Sequence, residues 1–498
     1  MFRGIRSFWN DQRGVAMILV AILLPALIGF AVLAVDITRA NALHNDLQKG
    51  ADAFALATAG ELDGRSDSIA RADRALANLI TGNKYQFASG AQFATVLSSA
   101  GVTRRYLRSL PASDETDIRA ADVITDEVGD AKNAIFVEIT VTPVGFDAIF
   151  PVSVLQRGGS GSFSLGANAV AGFKQSICET VPIFMCNPFE TTTPGTSKTI
   201  QKAFSDGDTY SREFRILKVD NNPGPGNFGL LDNDLVSLRD ALATGTAGTC
   251  YARDALTTKT GVTLGQVNAG LNVRFDIYSQ SLKKQDGNWA YRPATNIRKG
   301  AKNNQCNKYD PATDGSALPL PPGTWDAGNS AYSQKISAQS FWNAYWSANH
   351  KKTYTAIPAA TNPTGATSVP PSRYDVYKYE IANNLVGDQS NNPTKEVGTP
   401  QCYNGTPAPS NDPDRRLLNM AIVNCLADTA KINGHSQIRP DGYASVFLIS
   451  PIQKQNKNDD DEGSGNEKAI SLEIVDVDGP LGNGTLDKAL RTEVQLYR

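Results

Sequence analysis

The sequence predicts an α+β protein in which one N-terminal transmembrane helix, extended by a helical stalk, precedes a loop-rich mixed α and β extracytoplasmic domain. Three patterns support this fold class. An uncharged apolar run occupies 15–35, apolar residues then recur at helical spacing, and alternating apolar residues mark a strand at 135–142. The predicted segments are a cytoplasmic N-terminus at 1–14, the transmembrane helix at 15–35, the stalk at 36–85, a small sheet-containing region at 86–175 and a disulfide-stabilised extracytoplasmic domain at 176–498.

The apolar run at 15–35 has the length of a membrane-spanning helix. A helix of about 20 residues rises about 30 Å, which matches the hydrocarbon thickness of a bilayer. Arg3, Arg6 and Arg13 precede the run and Asp36 follows it, so the positive-inside rule predicts a cytoplasmic N-terminus. The apolar core of a signal peptide is shorter, about 7 to 15 residues. We therefore expect a retained anchor rather than a cleaved signal.

Two helical stripes follow the apolar run. Gly60 and Gly64 mark the break between them, and the second stripe ends near Gly82. Because their apolar residues recur every three or four positions, each stripe predicts one helix face that packs either within the protein or against a membrane partner, and the sequence does not separate the two. The first stripe consists of Leu43, Leu47, Ala51, Phe54 and Thr58, and the second of Ile69, Ala72, Leu76, Leu79 and Ile80.

Strand patterns appear further along the chain. The alternating run at 135–142 ends at Pro143, and a Gly/Ser turn at 158–162 precedes a second run at 163–173, which predicts a small sheet. Further strands are predicted at 214–219, 273–279 and 444–449. A helix is predicted over five residues at helical spacing, Leu417, Leu418, Ala421, Ile422 and Cys425.

Composition and motifs argue against several functions. The net charge of -2 disfavours nucleic-acid binding. The GxGxxG spacing at 224–229 contains Pro225, which removes a backbone amide that a phosphate-binding loop needs, so no small-molecule substrate is evident. The acidic run at 459–462 predicts a solvated loop rather than a calcium site. Neither His44, His350 nor His435 stands in a catalytic or zinc-binding motif, and we predict no catalytic, cofactor-binding or metal-binding residue and no enzyme activity.

The chain has six cysteines, all beyond the apolar run. In an oxidising compartment they predict disulfides, although six cysteines allow 15 pairings and buried free thiols are the alternative. We expect three bonds, Cys178 with Cys186, Cys402 with Cys425 and Cys250 with Cys306.

Two segments near the N-terminus carry a family resemblance. Gly14-Val15-Ala16 through Leu24-Pro25, with Leu33-Ala34-Val35-Asp36, and the following Leu47-Gln48-Lys49-Gly50-Ala51-Asp52-Ala53 resemble TadG/TadE-like Flp (tight adherence) pilus-assembly proteins. Later segments that are similar to the longer members of this family are Cys178 to Cys186 with Asn187-Pro188, Pro225-Gly226-Asn227-Phe228-Gly229, Arg274-Phe275-Asp276 and Asp414-Arg415-Arg416.

The resemblance implies a non-enzymatic, single-pass protein of the bacterial inner membrane with its C-terminal domain in the periplasm. Its partners would be the inner membrane and other pilus-assembly proteins or pilus subunits. Many TadG-like proteins carry a von Willebrand A domain, but no Asp-x-Ser-x-Ser metal motif occurs here, and Asp63 with Arg65-Ser66 does not match it.

Two other functions stay open. A minor pilin-like subunit could be released by prepilin-type cleavage near Gly14, although Leu19 stands where pilins typically use Glu. The third hypothesis is a membrane-anchored envelope hydrolase.

Overall fold

The structure is a computed structural model of the 498-residue chain. It describes residues 13–80, 82–90, 94–111, 113, 115–150, 162–193, 196–218, 223–233, 235–253, 255–260, 264–300, 306–307, 315–320, 325–326, 329–366, 368–387, 396–411, 414–427, 429–432, 434–452, 469–479 and 481–497. The predicted Gly/Ser turn lies outside these residues except for Ser162, as do the acidic run at 459–462 and nearly all of the predicted cytoplasmic segment at 1–14.

The described residues form helices and strands in both halves of the chain. The α-helices are α1 Arg13–Ala59, α2 Ser68–Ile80, α3 Ile200–Ser205, α4 Leu238–Thr244, α5 Leu264–Asn272, α6 Asn343–His350, α7 Arg373–Ala382 and α8 Thr429–Ile432. The strands are β1 Lys84–Tyr85, β2 Thr95–Val96, β3 Val102–Leu107, β4 Phe136–Asp147, β5 Ser162–Ile177, β6 Thr180–Cys186, β7 Phe214–Lys218, β8 Asn227–Leu231, β9 Tyr251–Ala252, β10 Leu256–Lys259, β11 Trp325–Asp326, β12 Asn329–Ser333, β13 Leu417–Val423, β14 Gln437–Ile438, β15 Pro440–Leu448, β16 Ile470–Val477 and β17 Leu490–Leu496. Short 3-10 helices cover Ser99–Gly101, Ala120–Asp122, Ala131–Asn133, Val273–Phe275, Gln280–Gln285, Trp289–Tyr291, Gln339–Trp342 and Thr485–Lys488.

The chain divides into two compact units. Unit 1 consists of Met1–Lys174 with Thr492–Arg498, and unit 2 of Gln175–Arg491. The fold is α+β, with a long apolar N-terminal helix and mixed helix and sheet in the rest of the chain. The five-segment division of the sequence stays a prediction, although the stalk at 36–85 and the sheet-containing region at 86–175 share one core in the structure.

In unit 1 the second half of α1 packs with α2 on an antiparallel sheet. Strands β17, β5, β4 and β3 lie side by side in this order, with Tyr106 opposite Val137 in the β3–β4 pair. Both predicted helical stripes are present, and they supply the helical part of the core, except that Leu79 is partly exposed. The alternating residues Val137, Ile139 and Val141 face this core, because successive side chains of a strand point to opposite faces.

The predicted end of a strand at Pro143 is wrong, because β4 continues to Asp147. Pro143 lacks an amide, and the β4–β5 register shifts between Val141 and Val144 where Pro143 stands. On β5, a Cβ added to Gly166 would lie 3.1 Å from the Val141 oxygen and 3.2 Å from Pro143 Cγ. Because Gly166 has no side chain, β5 can approach β4 closely here, and the two strands stay paired on both sides of Pro143.

Unit 2 is built on a large mixed sheet. The strand order is β11-β12-β7-β16-β15-β13-β6-β8-β10-β14, and β7 also pairs with β8, so that the six strands from β7 to β8 close on themselves. The pairs β13–β6 and β7–β8 are parallel, whereas the other recorded pairs are antiparallel. The predicted strands at 214–219 and 444–449 are confirmed as β7 and as part of β15.

Two predictions for unit 2 are wrong. The segment predicted as a helix around Leu417 is strand β13, which lies between β15 and β6. A central strand buries both faces, and its apolar residues therefore imitate helical spacing. The strand predicted at 273–279 is instead the 3-10 helix Val273–Phe275 followed by Asp276 in the left-handed region (φ 63°).

Candidate membrane anchor and buried charge network

The two halves of helix α1 have different surroundings. Its first half exposes apolar side chains, with Leu23 48% and Leu27 63% exposed, and no residue of its most apolar stretch is buried. The second half is buried on one face from Leu43 to Ala59. Among the described helices, α1 is long and apolar enough to cross a membrane. The helix is continuous through Pro25, which membrane helices tolerate.

Asp36 lies at the change between these two halves and is only 5% exposed. Its Oδ2 accepts a hydrogen bond from the Phe150 amide at 2.6 Å, and its Oδ1 pairs with Arg39 Nη1 at 3.1 Å. A buried carboxylate needs such partners, because burial disfavours an unpaired charge. The sequence places Asp36 after the apolar run, but its partner Phe150 stands more than a hundred positions away and could not be identified from spacing.

Unit 2 contains buried arginines in the segments Arg274-Phe275-Asp276 and Asp414-Arg415-Arg416. Arg274 Nε donates to the Leu242 carbonyl at 2.9 Å, and Arg415 Nη1 donates to the Thr244 carbonyl at 2.6 Å. Both carbonyls belong to the last turn of α4, where helix carbonyls lack partners within the helix. The positive charges also interact favourably with the negative end of the helix dipole. Arg274 Nη1 donates to the Arg415 carbonyl as well, so the two segments meet.

Arg416 is fully buried beside this pair. Its guanidinium donates to the Leu448 carbonyl at 2.9 and 2.8 Å and to the Ile449 carbonyl at 2.8 Å, and it lies 4.5 Å from the Phe447 ring centre. Burial lowers the pKa of Arg416 to about 10, which still leaves it charged at neutral pH. These contacts connect the residues before β13 to the end of β15.

Asp276 accepts three backbone hydrogen bonds, from Gln401 and Cys402 at 2.7 Å and from Tyr403 at 2.8 Å. Cys402 forms a disulfide with Cys306, so the carboxylate fixes the loop that carries this bond. The Arg274-Phe275-Asp276 and Asp414-Arg415-Arg416 segments therefore position backbone carbonyls and amides.

Glu380 on α7 is the centre of a second buried network. Its carboxylate accepts hydrogen bonds from Asn296 at 2.7 Å and from Tyr345 at 2.9 Å, and it contacts His350 Nε2 at 2.8 Å. Burial opposes ionisation of Glu380, but Arg298, His350 and Asn296 outweigh it and hold the pKa of Glu380 below its usual value. The spacing of these residues in the sequence gives no sign that they converge.

All six cysteines form disulfides, but the predicted pairing is wrong. The bonds join Cys178 to Cys250, Cys186 to Cys425 and Cys306 to Cys402. Cys178 stands two residues before β6, a strand of 7 residues, and Cys186 is the last residue of that strand. Such a strand spans about 20 Å, whereas bonded cysteines have Cα atoms within about 7 Å. Cys186 instead bonds across the parallel β6–β13 pair, in which it lies opposite Val423, two residues before Cys425.

Glu190 is buried next to the Cys186–Cys425 bond, and its carboxylate lies within 4.8 Å of both sulfur atoms. Glu190 Oε2 accepts a hydrogen bond from the Leu426 amide at 2.9 Å, whereas Oε1 has no hydrogen-bond partner within the described part of the chain. Burial and the charge of Asp441 raise the pKa of Glu190 to about 7, although the hydrogen bond from Leu426 acts in the opposite direction. Because the disulfide occupies both sulfurs, this group does not offer free thiolates to a metal.

The glycine-rich string at 224–229 leads into a strand. Gly226 has a positive φ of 76°, and a Cβ there would lie 2.6 Å from Ala331 Cβ. Strand β8 begins at Asn227, where a dinucleotide-binding loop would need a helix. Close packing and turn geometry therefore account for this glycine.

Comparison with known proteins identifies one segment of the chain. Residues 14–61 match the family model described as putative Flp pilus-assembly TadE/G-like, the family that the sequence resembles. No curated protein and no solved structure matches the chain. The matched residues contain nearly all of α1, including the exposed apolar half, Asp36 and the half that packs on the sheet. We conclude that this chain carries, at residues 14–61, the TadE/G-like segment of putative Flp pilus-assembly proteins.

Proposed function

We propose that this protein is a non-enzymatic, membrane-anchored component of Flp pilus assembly that acts through protein contacts outside the cytoplasm. The observation that carries the proposal is α1, in which one continuous helix is apolar and exposed over its first half and packed into unit 1 over its second. The same residues match the pilus-assembly family. A helix of this kind anchors a folded region directly at the membrane surface.

The cysteines and the flanking charges support the orientation. Three disulfides in unit 2 suit an oxidising compartment such as the periplasm. Arg3, Arg6 and Arg13 before the apolar run favour a cytoplasmic N-terminus. We therefore place the folded units in the periplasm of a bacterial inner-membrane protein, with pilus subunits or other assembly proteins as partners.

The surroundings of two histidines support a non-enzymatic role. The side chain of His350 is 1% exposed, pairs with Glu380 and packs on Trp346, so a substrate could not reach it without unfolding. His435 is exposed and pairs with Asp232 at 3.2 Å. Replacing His435 leaves pilus formation unchanged under this proposal, whereas the envelope-hydrolase hypothesis would allow a loss.

The anchor is tested with charged substitutions in α1. In a host strain that lacks its own copy, the variant Leu24→Lys/Leu27→Lys should lose membrane association, because a lysine near the centre of a membrane helix costs about 3 kcal/mol. Fractionation measures the association, and electron microscopy measures the pili, which should disappear. The control is Val128→Lys, at an 85% exposed apolar residue of unit 1. Normal pili with a fully soluble double variant would contradict the proposal.

A minor pilin-like subunit is the second candidate. It is favoured by Gly14, which directly precedes the apolar run, and by the unbroken helix that follows it, since such helices can bundle in a fibre. Mass spectrometry of the mature N-terminus distinguishes the two functions. A chain that begins at Val15 and is recovered in sheared pili would identify a subunit, whereas an intact chain that stays in the membrane fraction supports the anchored assembly protein.

A further inference from the structure

The residues just after β4 place one apolar side chain, Phe150, against the exposed half of α1. Ile149 is 60% exposed, and Phe150 follows it. A Cβ added to Gly29 would lie 3.5 Å from Phe150 Cε2, so the phenyl ring lies beside Gly29. Gly29 precedes Asp36 by seven positions, which corresponds to about 10 Å along a helix. Phe150 thus packs against a residue inside the apolar run at 15–35.

Asp36 provides the polar contacts that this position requires. The Phe150 amide donates to its carboxylate at 2.6 Å. Backbone amides within or next to hydrocarbon must have hydrogen-bond acceptors in the protein, because lipid chains offer none. Asp36, whose charge is paired with Arg39, meets this requirement. A loop that remained in water would not need a buried acceptor, because solvent would form hydrogen bonds with its amides.

Two aromatic rings lie against the guanidinium of Arg39, one turn beyond Asp36. The Arg39 guanidinium lies 5.2 Å from the Phe146 ring centre and 5.6 Å from that of Phe87, which is 38% exposed. Basic and aromatic side chains concentrate at the level of lipid headgroups, where the charge meets water and phosphate while the ring meets the acyl chains. Along α1, the apolar contact at Gly29 comes first and the cation of Arg39 follows. This order matches a bilayer boundary near Asp36.

We propose that Ile149 and Phe150, which we call the lipid wedge, insert into the membrane beside α1 and contact phospholipid acyl chains. This inference rests on the proposed membrane anchoring. If α1 spans the bilayer at 15–35, a ring packed on Gly29 lies at the depth of the hydrocarbon. The exposed face of Ile149 then has lipid rather than water as its solvent. Unit 1 would therefore contact the membrane at two places, α1 and the end of β4.

The test uses photocrosslinking to lipid in the full chain. The photoreactive residue p-benzoylphenylalanine replaces Ile149, Leu27 or Val128, and each protein is reconstituted in vesicles of phosphatidylethanolamine and phosphatidylglycerol. After irradiation, mass spectrometry detects phospholipid adducts. Val128 is the matched control, an apolar residue that is more exposed than Ile149. Val128 lies near Ala131, whose carbonyl accepts a hydrogen bond from the Ser68 hydroxyl at the start of α2. Helix α2 follows the end of α1 at Ala59, which is about 35 Å from Asp36 along α1. Val128 is therefore expected to lie away from the proposed bilayer boundary.

The lipid wedge predicts adducts at position 149 comparable to those at position 27 and only background at position 128. Adducts at position 27 without adducts at 149 would overturn the wedge and leave the anchor intact. Adducts at neither position would overturn the anchoring itself, and the wedge with it. Equal adducts at 128 and 149 would also overturn the wedge, because contact with lipid would then be nonspecific.

Discussion

The two units treat their charged residues differently. In unit 1 the arginines of ion pairs keep part of their side chains in solvent, as with Arg71, which pairs with Glu61, Asp63 and Asp67. The core beneath them is apolar. In unit 2, Arg274, Arg298, Arg373 and Arg416 are among the largest fully buried side chains. Their partners include backbone carbonyls and buried carboxylates such as Glu380 and Glu473.

The difference extends to covalent bonds. All six cysteines stand in unit 2, and its three disulfides connect residues 72, 239 and 96 positions apart. In unit 1, a continuous helix packs on a small sheet whose strands mostly follow one another in the sequence. Its core is therefore formed by apolar contacts between elements that are close in sequence. Unit 2 has many loops and long-range strand pairs, and it depends on crosslinks and buried polar contacts. The two units should therefore respond differently to reduction, charge removal and pH.

The largest effect is expected from the disulfide with the longest loop. Replacing both cysteines, Cys186→Ser/Cys425→Ser, should lower the free energy of unfolding of unit 2 by about 4–5 kcal/mol, because the bond restricts a long loop in the unfolded chain. Tryptophan fluorescence during denaturant unfolding reports mainly on unit 2, which holds four of the five tryptophans, Trp289, Trp325, Trp342 and Trp346. Hydrogen exchange of α2 amides is the control and should not change. An unchanged fluorescence midpoint would contradict this account of unit 2.

Removal of a buried cation should have the next largest effect. Arg416→Met should destabilise unit 2 by about 3 kcal/mol, because the Leu448 and Ile449 carbonyls lose a charged donor and stay buried. The matched variant in unit 1 is Arg105→Met, whose guanidinium is half exposed and pairs with Glu138. It should cost about 1 kcal/mol or less. Equal losses in the two denaturation curves would remove the distinction between the units.

The pH dependence of unit 2 should change when Glu190 is neutralised. The pKa of Glu190 is raised to about 7 from 4.5, so the folded state holds a proton that the unfolded state has released, and stability falls as pH rises from about 5 to 8. Glu190→Gln should therefore stabilise unit 2 by about 2 kcal/mol at pH 8 and by much less at pH 4. Denaturation at both pH values measures this difference. The control, Glu61→Gln, should leave the free energy of unfolding of unit 2 unchanged at both pH values. An equal stabilisation by Glu190→Gln at pH 4 and pH 8 would show that Glu190 does not titrate in this range.

The smallest effect is expected at the surface of unit 1. Arg71→Gln breaks ion pairs with Glu61, Asp63 and Asp67, which are partly exposed. Solvent and salt screen such pairs, so the loss should be below about 1 kcal/mol and should shrink further at high salt. Hydrogen exchange of α2 amides at low and high salt measures the loss. A loss as large as that of Arg416→Met would show that unit 1 also depends on its charges.

Unit 1 was predicted well because its signals are local. The stripe from Leu43 to Thr58 and the alternation of Val137, Ile139 and Val141 both follow from the geometry of one helix or one strand. The errors concern residues whose environment is set by distant parts of the chain. Strand β13 is apolar on both faces because distant residues cover each face, Leu418, Met420 and Ile422 lying in one buried cluster and Ala421 and Val423 in another. Asp276 lies in the left-handed region, where its carboxylate accepts hydrogen bonds from the amides at 401–403.

The sequence by itself determined the apolar run, its flanking charges, the two helical stripes and the family of residues 14–61, because each depends only on the order of nearby residues. The tertiary structure alone decided which cysteines bond, which carbonyls receive the arginines and which residues reach Asp36. Phe150 meets Asp36 only after the sheet has placed the end of β4 beside α1. Contacts between distant positions depend on how the elements pack, and neither periodicity nor composition contains that information.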